Sequence, residues 1–181
     1  DEGVGFSVDC APEGYTYVPD DNFAQALIDL GYDDVLDDYV LTANISGVTS
    51  LDVESKGISD LTGIEGFTAL TFLHCENNQL TTLDMSSNTA LDNLSTGNNQ
   101  LTSLDVSSNT ALTELRCHVN QLTSLDVSSN TALNRLVLYM NEITSLDVSS
   151  NTALTELFAN ENQLTSLDVS NNTALASLYC F

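Results

Sequence analysis

Apolar residues return along this chain at fixed intervals, and from Leu80 onward the interval is 21 residues. LTTLDMSSNTALDNLSTGNNQ (80–100) runs straight into LTSLDVSSNTALTELRCHVNQ (101–121). Further copies fill 122–142 and 143–163, and a fifth, begun at Leu164, stops within its second half. A fixed period of this length means one unit stacked on copies of itself, with the interior shared between neighbours. Each unit divides into L-x-x-L-x-V-x-x-N and L-x-x-L-x-C-x-x-N half-units. In both, Leu and Val or Cys alternate with polar residues, the period-two mark of a half-buried strand. With no helix-length apolar stripe between them, the halves predict a mainly β, flattened solenoid with two short parallel strands per coil. Asn78, Asn99, Asn120, Asn141 and Asn162 close one turn of the coil; Asn88, Asn109, Asn130, Asn151 and Asn172 close the other. Asn tolerates tight-turn backbones and bonds neighbouring backbone groups. Two internal Asn ladders are therefore expected, serving buried backbone rather than a ligand.

The N-terminal part has a different rhythm. Residues 1–17 read as an extended lead-in, 18–47 as a helical cap, and 48–181 as the solenoid with its last repeat incomplete. In VPDDNFAQALIDL (18–30), Pro and Asp start a helix, Phe23, Ala26, Leu27 and Leu30 share one face, and Gly31 stops it. Tyr15 and Tyr17 are expected beside that helix. Asp33, Asp34, Asp37 and Asp38 flank Val35 and Leu36 as on one solvated helical turn; the alternating oxygens and distal Glu of a calcium loop are missing. VTSLDV (48–53) already matches the later half-unit, and ISDLTGIEGFTALTFLHCENNQ (58–79) is a transitional coil. No cap is visible after the last half-unit, so an exposed strand edge is expected there, met by continuation of the chain or by end-to-end contact.

These residues resemble a known family. L-x-x-L-x-V-x-x-N paired with L-x-x-L-x-C-x-x-N over 48–181 is similar to leucine-rich repeats of the nested class sometimes called IRREKO. The L-x-x-I-x-x-F-x-x-L run of 58–79 resembles the 22-residue internalin-like repeat. The cap entry and the L-T-S-L-D-V-S-x-N-T-A-L repeats look like extracellular proteins of Bacteroidota, where such units are modules of adhesins or surface assemblies. The resemblance implies an extracellular or cell-surface location and a recognition role without catalysis.

Charge narrows the classes of partner. Three basic residues stand against 26 acidic ones, a formal charge of −23. Phosphate binding needs Lys and Arg, so nucleic acid is excluded as a natural partner and anionic membrane surfaces are disfavoured. No apolar run is long enough for a membrane span. Nothing at the N-terminus resembles a signal peptide, so the chain reads as mature or excised. Such acidity suits salty extracellular surroundings, where ions screen self-repulsion. Cys75, Cys117 and Cys180 share the inward position of the second half-unit, held elsewhere by Thr96, Leu138 and Ala159. Two coils at ~4.8 Å each separate the first pair by about 10 Å, beyond disulfide reach. Buried free thiols are expected; Cys10 lies outside the repeats. Zinc spacings, nucleotide loops and nucleophile elbows are absent, so neither a cofactor nor enzymatic activity is expected.

Two columns of outward residues differ. The first half-unit repeats Asp84, Asp105, Asp126, Asp147 and Asp168 between Ser or Thr columns. The second is individual: Phe72, His74, Glu76; Asn93, Ser95, Gly97; Glu114, Arg116, His118; Arg135, Val137, Tyr139; Glu156, Phe158, Asn160; Ser177, Tyr179, Phe181. Both arginines and both histidines fall in this second set. Varied side chains with aromatic and Arg anchors on a rigid sheet point to recognition. The candidate partner site is His74, Arg116, His118, Arg135, Val137, Tyr139, Phe158 and Tyr179, with a protein partner first and a glycan second. The rival reading is a structural or ion-organising role, in which the Asp column holds divalent cations weakly or presents an ice- or mineral-facing surface. Like charges stacked about 5 Å apart are further expected to raise one another's pKa, so that mild acid stabilises the fold.

Overall fold

The computed structural model describes residues 12–180, in which a small cap covers a parallel-sheet solenoid. The cap begins earlier than the sequence reading placed it. Tyr15–Tyr17 form β1, paired antiparallel with β2 (Tyr39–Leu41), so the end of the expected lead-in is a strand. The rings of Tyr17 and Tyr39 lie 5.5 Å apart across that pair.

Between the two strands runs α1 (Asp21–Asp29), whose Phe23, Ala26 and Leu27 are buried at helical spacing. Asp20 starts it. Its Oδ1 accepts from the backbone N–H groups of Asn22 and Phe23, while Oδ2 accepts from Ser59 N–H, Ser59 Oγ and Asp60 N–H. One carboxylate thus caps the helix and pins it to the first coil. Burial pushes the Asp20 carboxyl up, but the bonds from Ser59, Phe23 and Asp60 outweigh this and hold it below its usual range. At the far end Gly31 N–H donates to Ile28 O and Tyr32 N–H to Leu27 O, a two-bond helix stop.

The expected helical turn around Asp33–Asp38 is absent. Asp33 and Asp37 instead accept backbone N–H groups one and two residues on, local bonds that compete with helix. A single turn, α2 (Thr42–Ile45), leads into the solenoid. The cap seats tightly. Gly63, at φ 106°, lies where any Cβ would come within 2.7 Å of Val18 Cγ2 and 2.8 Å of the Tyr17 carbonyl, and Phe23 packs 6.4 Å from Phe67 ring to ring.

The solenoid sheet contains β3 (Ser50–Asp52), β4 (Phe72–His74), β5 (Asn93–Ser95), β6 (Glu114–Arg116), β7 (Arg135–Val137), β8 (Glu156–Phe158) and β9 (Ser177–Tyr179), all parallel and in chain order. Their central leucines, Leu51 through Leu157, are fully buried in one file in that register. Met85, Val106, Val127 and Val148 face them from the other half-unit, also fully buried. This is the mainly β solenoid of about 21-residue coils that the repeat implies.

One detail differs from the sequence reading: among the described residues each coil carries one strand, from the second half-unit alone. The first half-unit satisfies its backbone locally. Ser107 N–H goes to Asp105 Oδ1, Asn109 N–H to Val106 O and Leu112 N–H to Asn109 O, and every full copy repeats the pattern. Two consecutive turns bend the segment where a strand would continue, because V-S-S-N favours a β-turn.

Both Asn ladders are present, and they work differently. Asn99 Nδ2 donates to Cys75 O and Thr96 O, while its Oδ1 accepts from Leu80 N–H. Asn109 Nδ2 donates to Met85 O and Asn88 O, stitching its coil to the one before. The Oδ1 atoms of Asn88, Asn109, Asn130, Asn151 and Asn172 are buried without a protein partner. After each of β4–β8 the left-handed residue of the turn is the one before the ladder Asn: Asn77, Asn98, Val119, Met140 and Glu161, all with φ between 51° and 56°.

Candidate functional site

The strand face is a platform. Each three-residue strand turns its middle Leu inward, so the residues on either side point outward in columns fixed by the sheet register. The 21-residue period places Arg116 between Ser95 and Val137, and Arg135 between Glu114 and Glu156. Glu, Arg and Glu therefore alternate across adjacent strands. Arg116 Nε donates to Glu114 Oε1 at 2.6 Å. Arg135 Nη1 lies 3.4 Å from that same oxygen, and its Nε lies 3.1 Å from Glu156 Oε2 without the alignment of a hydrogen bond. Arg135 Cζ stands 5.8 Å from the centre of the Phe158 ring, within cation–π range.

The aromatic residues pair as well. His118 stacks on Tyr139 with centroids 4.7 Å apart, and Phe158 on Tyr179 at 5.1 Å and nearly parallel. His118 fits only because position 97 is Gly: a Cβ there would sit 2.3–2.7 Å from its ring atoms. Burial lowers the His118 pKa; Glu76 pulls it up by less, and Arg116 adds to the lowering. The imidazole is neutral at pH 7, and its Nδ1 is buried without a partner.

Six of the eight expected residues come together. Arg116, His118, Arg135, Val137, Tyr139 and Phe158 line one shallow depression of about 270 Å³, completed by Glu76. Tyr179 flanks it by stacking on Phe158 and is 56% exposed. His74 lies outside the depression, 3.7 Å from Glu76 through Nε2. Sequence reasoning missed Glu76, Glu114, Glu156 and Gly97 as parts of this site. The signal for the glutamates was present, since Glu114, Arg135 and Glu156 stand one repeat apart. Gly97 became meaningful only with the bulk of His118 above it.

The Asp column behaves contrary to the charge argument. Hydrogen bonds from the side chain and backbone of Ser86 hold Asp84 below its usual range; slight burial and the neighbouring Asp105 push the other way by less. Serines two positions on do the same for Asp105, Asp126, Asp147 and Asp168. Mutual repulsion is real but loses to a directed bond, because these carboxylates sit in water that screens charge. Asp84 and Asp105 border a hollow of about 350 Å³ shared with Thr82, Ser103 and Glu65. Among the described residues, the one trio of His, Cys, Asp or Glu whose ligand atoms converge lies elsewhere, at Asp52, Glu54 and His74.

Two of the three described cysteines are buried as expected. Cys75 and Cys117 are buried free thiols, and burial pushes the Cys117 thiol up to about 12 and that of Cys75 higher still. Cys180 is free and partly exposed. Cys10, Phe181 and residues 1–11 of the expected lead-in lie outside the described residues.

Comparison with known proteins places this geometry. No protein-family model matches the chain. Over 73 residues it is 44% identical to Internalin J of Listeria monocytogenes, a match spanning 40% of this chain and 8% of that protein. The solved functional domain of InlJ from Listeria monocytogenes, described as including a cysteine ladder, superposes with a TM-score of 0.73 at 38% identity, over 92% of this chain and 43% of that one. An internalin from the same organism, InlF, gives a TM-score of 0.70 at 23% identity, over 89% of this chain and 56% of that one, a likeness of fold alone. The chain is thus an internalin-like leucine-rich-repeat solenoid that spans less than half of the InlJ domain it resembles.

Proposed function

We propose that this solenoid is a non-catalytic recognition module, extracellular or displayed at a cell surface, that binds a protein partner through the strand face over β6–β8. The observation that carries the reading is the depression: both arginines, His118, Tyr139 and Phe158 surround Val137 on one rigid sheet. Register fixes the backbone, and stacking and ion pairs hold the side chains in place, so less ordering entropy is lost on binding. Glu114 and Glu156 already balance the arginines, which favours an apolar or aromatic anchor entering over Val137, with Arg and Glu around its rim accepting polar groups. His74 and Tyr179 extend the surface toward its two ends. Similarity to Internalin J and to the InlJ domain supports an interaction role, and the excess of acid over base suits salty exterior surroundings.

The test is a screen of the domain against arrayed extracellular proteins and arrayed glycans. The double variant Arg135→Ser/Tyr139→Ser should keep its circular dichroism and melting curve yet lose at least tenfold in affinity for the captured protein, each anchor being worth ~2 kcal/mol or more. Ser128→Tyr, on the opposite side, should leave binding unchanged. Equal affinity of wild type and double variant sinks this site. Capture of a glycan without any protein reassigns the ligand.

A further inference from the structure

We propose that Asp52, Glu54 and His74 form a binding site for a divalent transition-metal ion of the zinc class, oriented by Glu76, at the cap end of the strand face. The site draws on β3, β4 and the residues just after them, and it does not depend on the reading of the depression as a partner site. Asp52 stands directly opposite His74 in the β3–β4 register. His74 Nδ1 lies 3.9 Å from Asp52 Oδ1 and 3.9 Å from Glu54 Oε2, and ligand atoms of all three residues fall within 4.8 Å of one another. Ligands bound to one zinc ion at 2.0–2.2 Å stand about 3.4 Å apart. Small rotations of two solvent-accessible carboxylates would close that gap.

The surroundings favour a metal over a bare acidic patch. The other imidazole nitrogen, Nε2, faces Glu76 Oε2 at 3.7 Å, an arrangement in which a carboxylate directs the far nitrogen toward an ion. Asn77 Nδ2 donates to Glu54 Oε1 at 2.8 Å, and Ser95 Oγ donates to Glu76 Oε1, so each glutamate keeps its second oxygen toward the histidine. The Phe72 ring packs edgewise 5.8 Å from the imidazole and limits its rotation. Among the described residues, no Lys or Arg pairs with the three carboxylates. Lys56 pairs with Asp29, Arg116 with Glu114, and Arg135 with both Glu114 and Glu156. An ion of charge +2 would supply the missing balance. One imidazole among carboxylates suits zinc, nickel or cobalt better than calcium or magnesium, which take oxygen ligands alone. Cys75 is next to His74 in sequence but its side chain is fully buried in the core, away from the carboxylates, so it is not a ligand.

The experiment titrates zinc chloride into the metal-free chain by calorimetry while the two histidine ring signals are followed by NMR. One zinc per chain should bind, moving the His74 signals and leaving those of His118 in place. His74→Gln and, as a second variant against misfolding of the first, Asp52→Asn should each weaken binding at least tenfold with an unchanged melting curve. Glu76→Gln should weaken it about 10–100-fold as an orienting partner. Calcium should leave the His74 signals where they are. Three results overturn the site: no zinc uptake, uptake unaltered by His74→Gln, or calcium acting as zinc does.

Discussion

The pentapeptide Thr-Ser-Leu-Asp-Val occurs at 49–53 and again at 102–106, and it folds in two ways. At 50–52 it is strand β3, paired with Phe72–His74. At 102–106 it carries no strand and ends in the turns that return the chain across the coil. The Asp does not decide between them, since Asp52 and Asp105 both accept the N–H two residues on. The next three residues do. Glu54-Ser55-Lys56 leaves the backbone open to β4, with Val53 N–H on His74 O and Ser55 N–H on Glu76 O. Ser107-Ser108-Asn109 closes a tight turn on Val106 instead. One side of the solenoid is therefore held coil to coil by backbone pairing, and the other by the side-chain amides of the Asn88–Asn172 file.

Four measurements test that contrast. The largest effect is expected on the strand side, where Leu115 is fully buried between Leu94 and Leu136. Leu115→Ala should cost ~2–5 kcal/mol, with hydrogen exchange accelerated chiefly in the flanking coils. Protection lost evenly along the chain would contradict nearest-neighbour coupling.

Next comes Asn130→Ala on the opposite side, which strips the Val106 and Asn109 carbonyls of their Nδ2–H partner. Each carbonyl keeps its turn bond from Asn109 or Leu112 N–H and loses only the bond between coils, so two lost bonds should cost about 2 kcal/mol in denaturant unfolding. A loss of a few tenths would mean that this file contributes packing alone.

Val119→Asn should act in the other direction. Val119 holds φ 51° where other coils place Asn77 and Asn98, and a β-branched residue in that region is strained. The substitution should raise stability by about 1 kcal/mol. No gain in melting temperature would show that Val119 packing offsets the strain.

The smallest effect belongs to the Asp column. A carboxyl whose folded pKa is lowered stabilises the fold above its unfolded pKa and loses that contribution as pH falls through the lower folded value. For Asp126 the ordinary value is 3.8 and the bonds from Ser128 lower it, so melting temperature should fall as pH drops from about 4 downward. Asp126→Asn should flatten that fall slightly. Rising stability in mild acid would restore mutual repulsion as the stronger effect.

Much of the fold was legible because a repeat reports its own register. Once Leu94, Leu115 and Leu136 stand 21 residues apart, their stacking is fixed, and so is the neighbourhood of Arg116, His118, Arg135, Val137, Tyr139 and Phe158. What escaped reading depended on partners outside the repeat. Strand β1 needed β2 beside it, and Asp20 needed Ser59 and Asp60, some 40 residues away. The trio Asp52, Glu54 and His74 joins two coils of unlike sequence, so no spacing within one coil displays it.

The period, the inward files, the two Asn ladders and the individuality of one face were all set at the level of sequence, because each is a property of a single unit copied along the chain. Which half-unit became strand was settled in three dimensions, since L-x-x-L-x-V and L-x-x-L-x-C share one alternation and differ only in how the next residues turn and what lies alongside. The ionisation of the Asp column was settled there too. Charge count predicts repulsion whatever the conformation, whereas a hydrogen bond from Ser128 to Asp126 exists only once the chain has bent to make it.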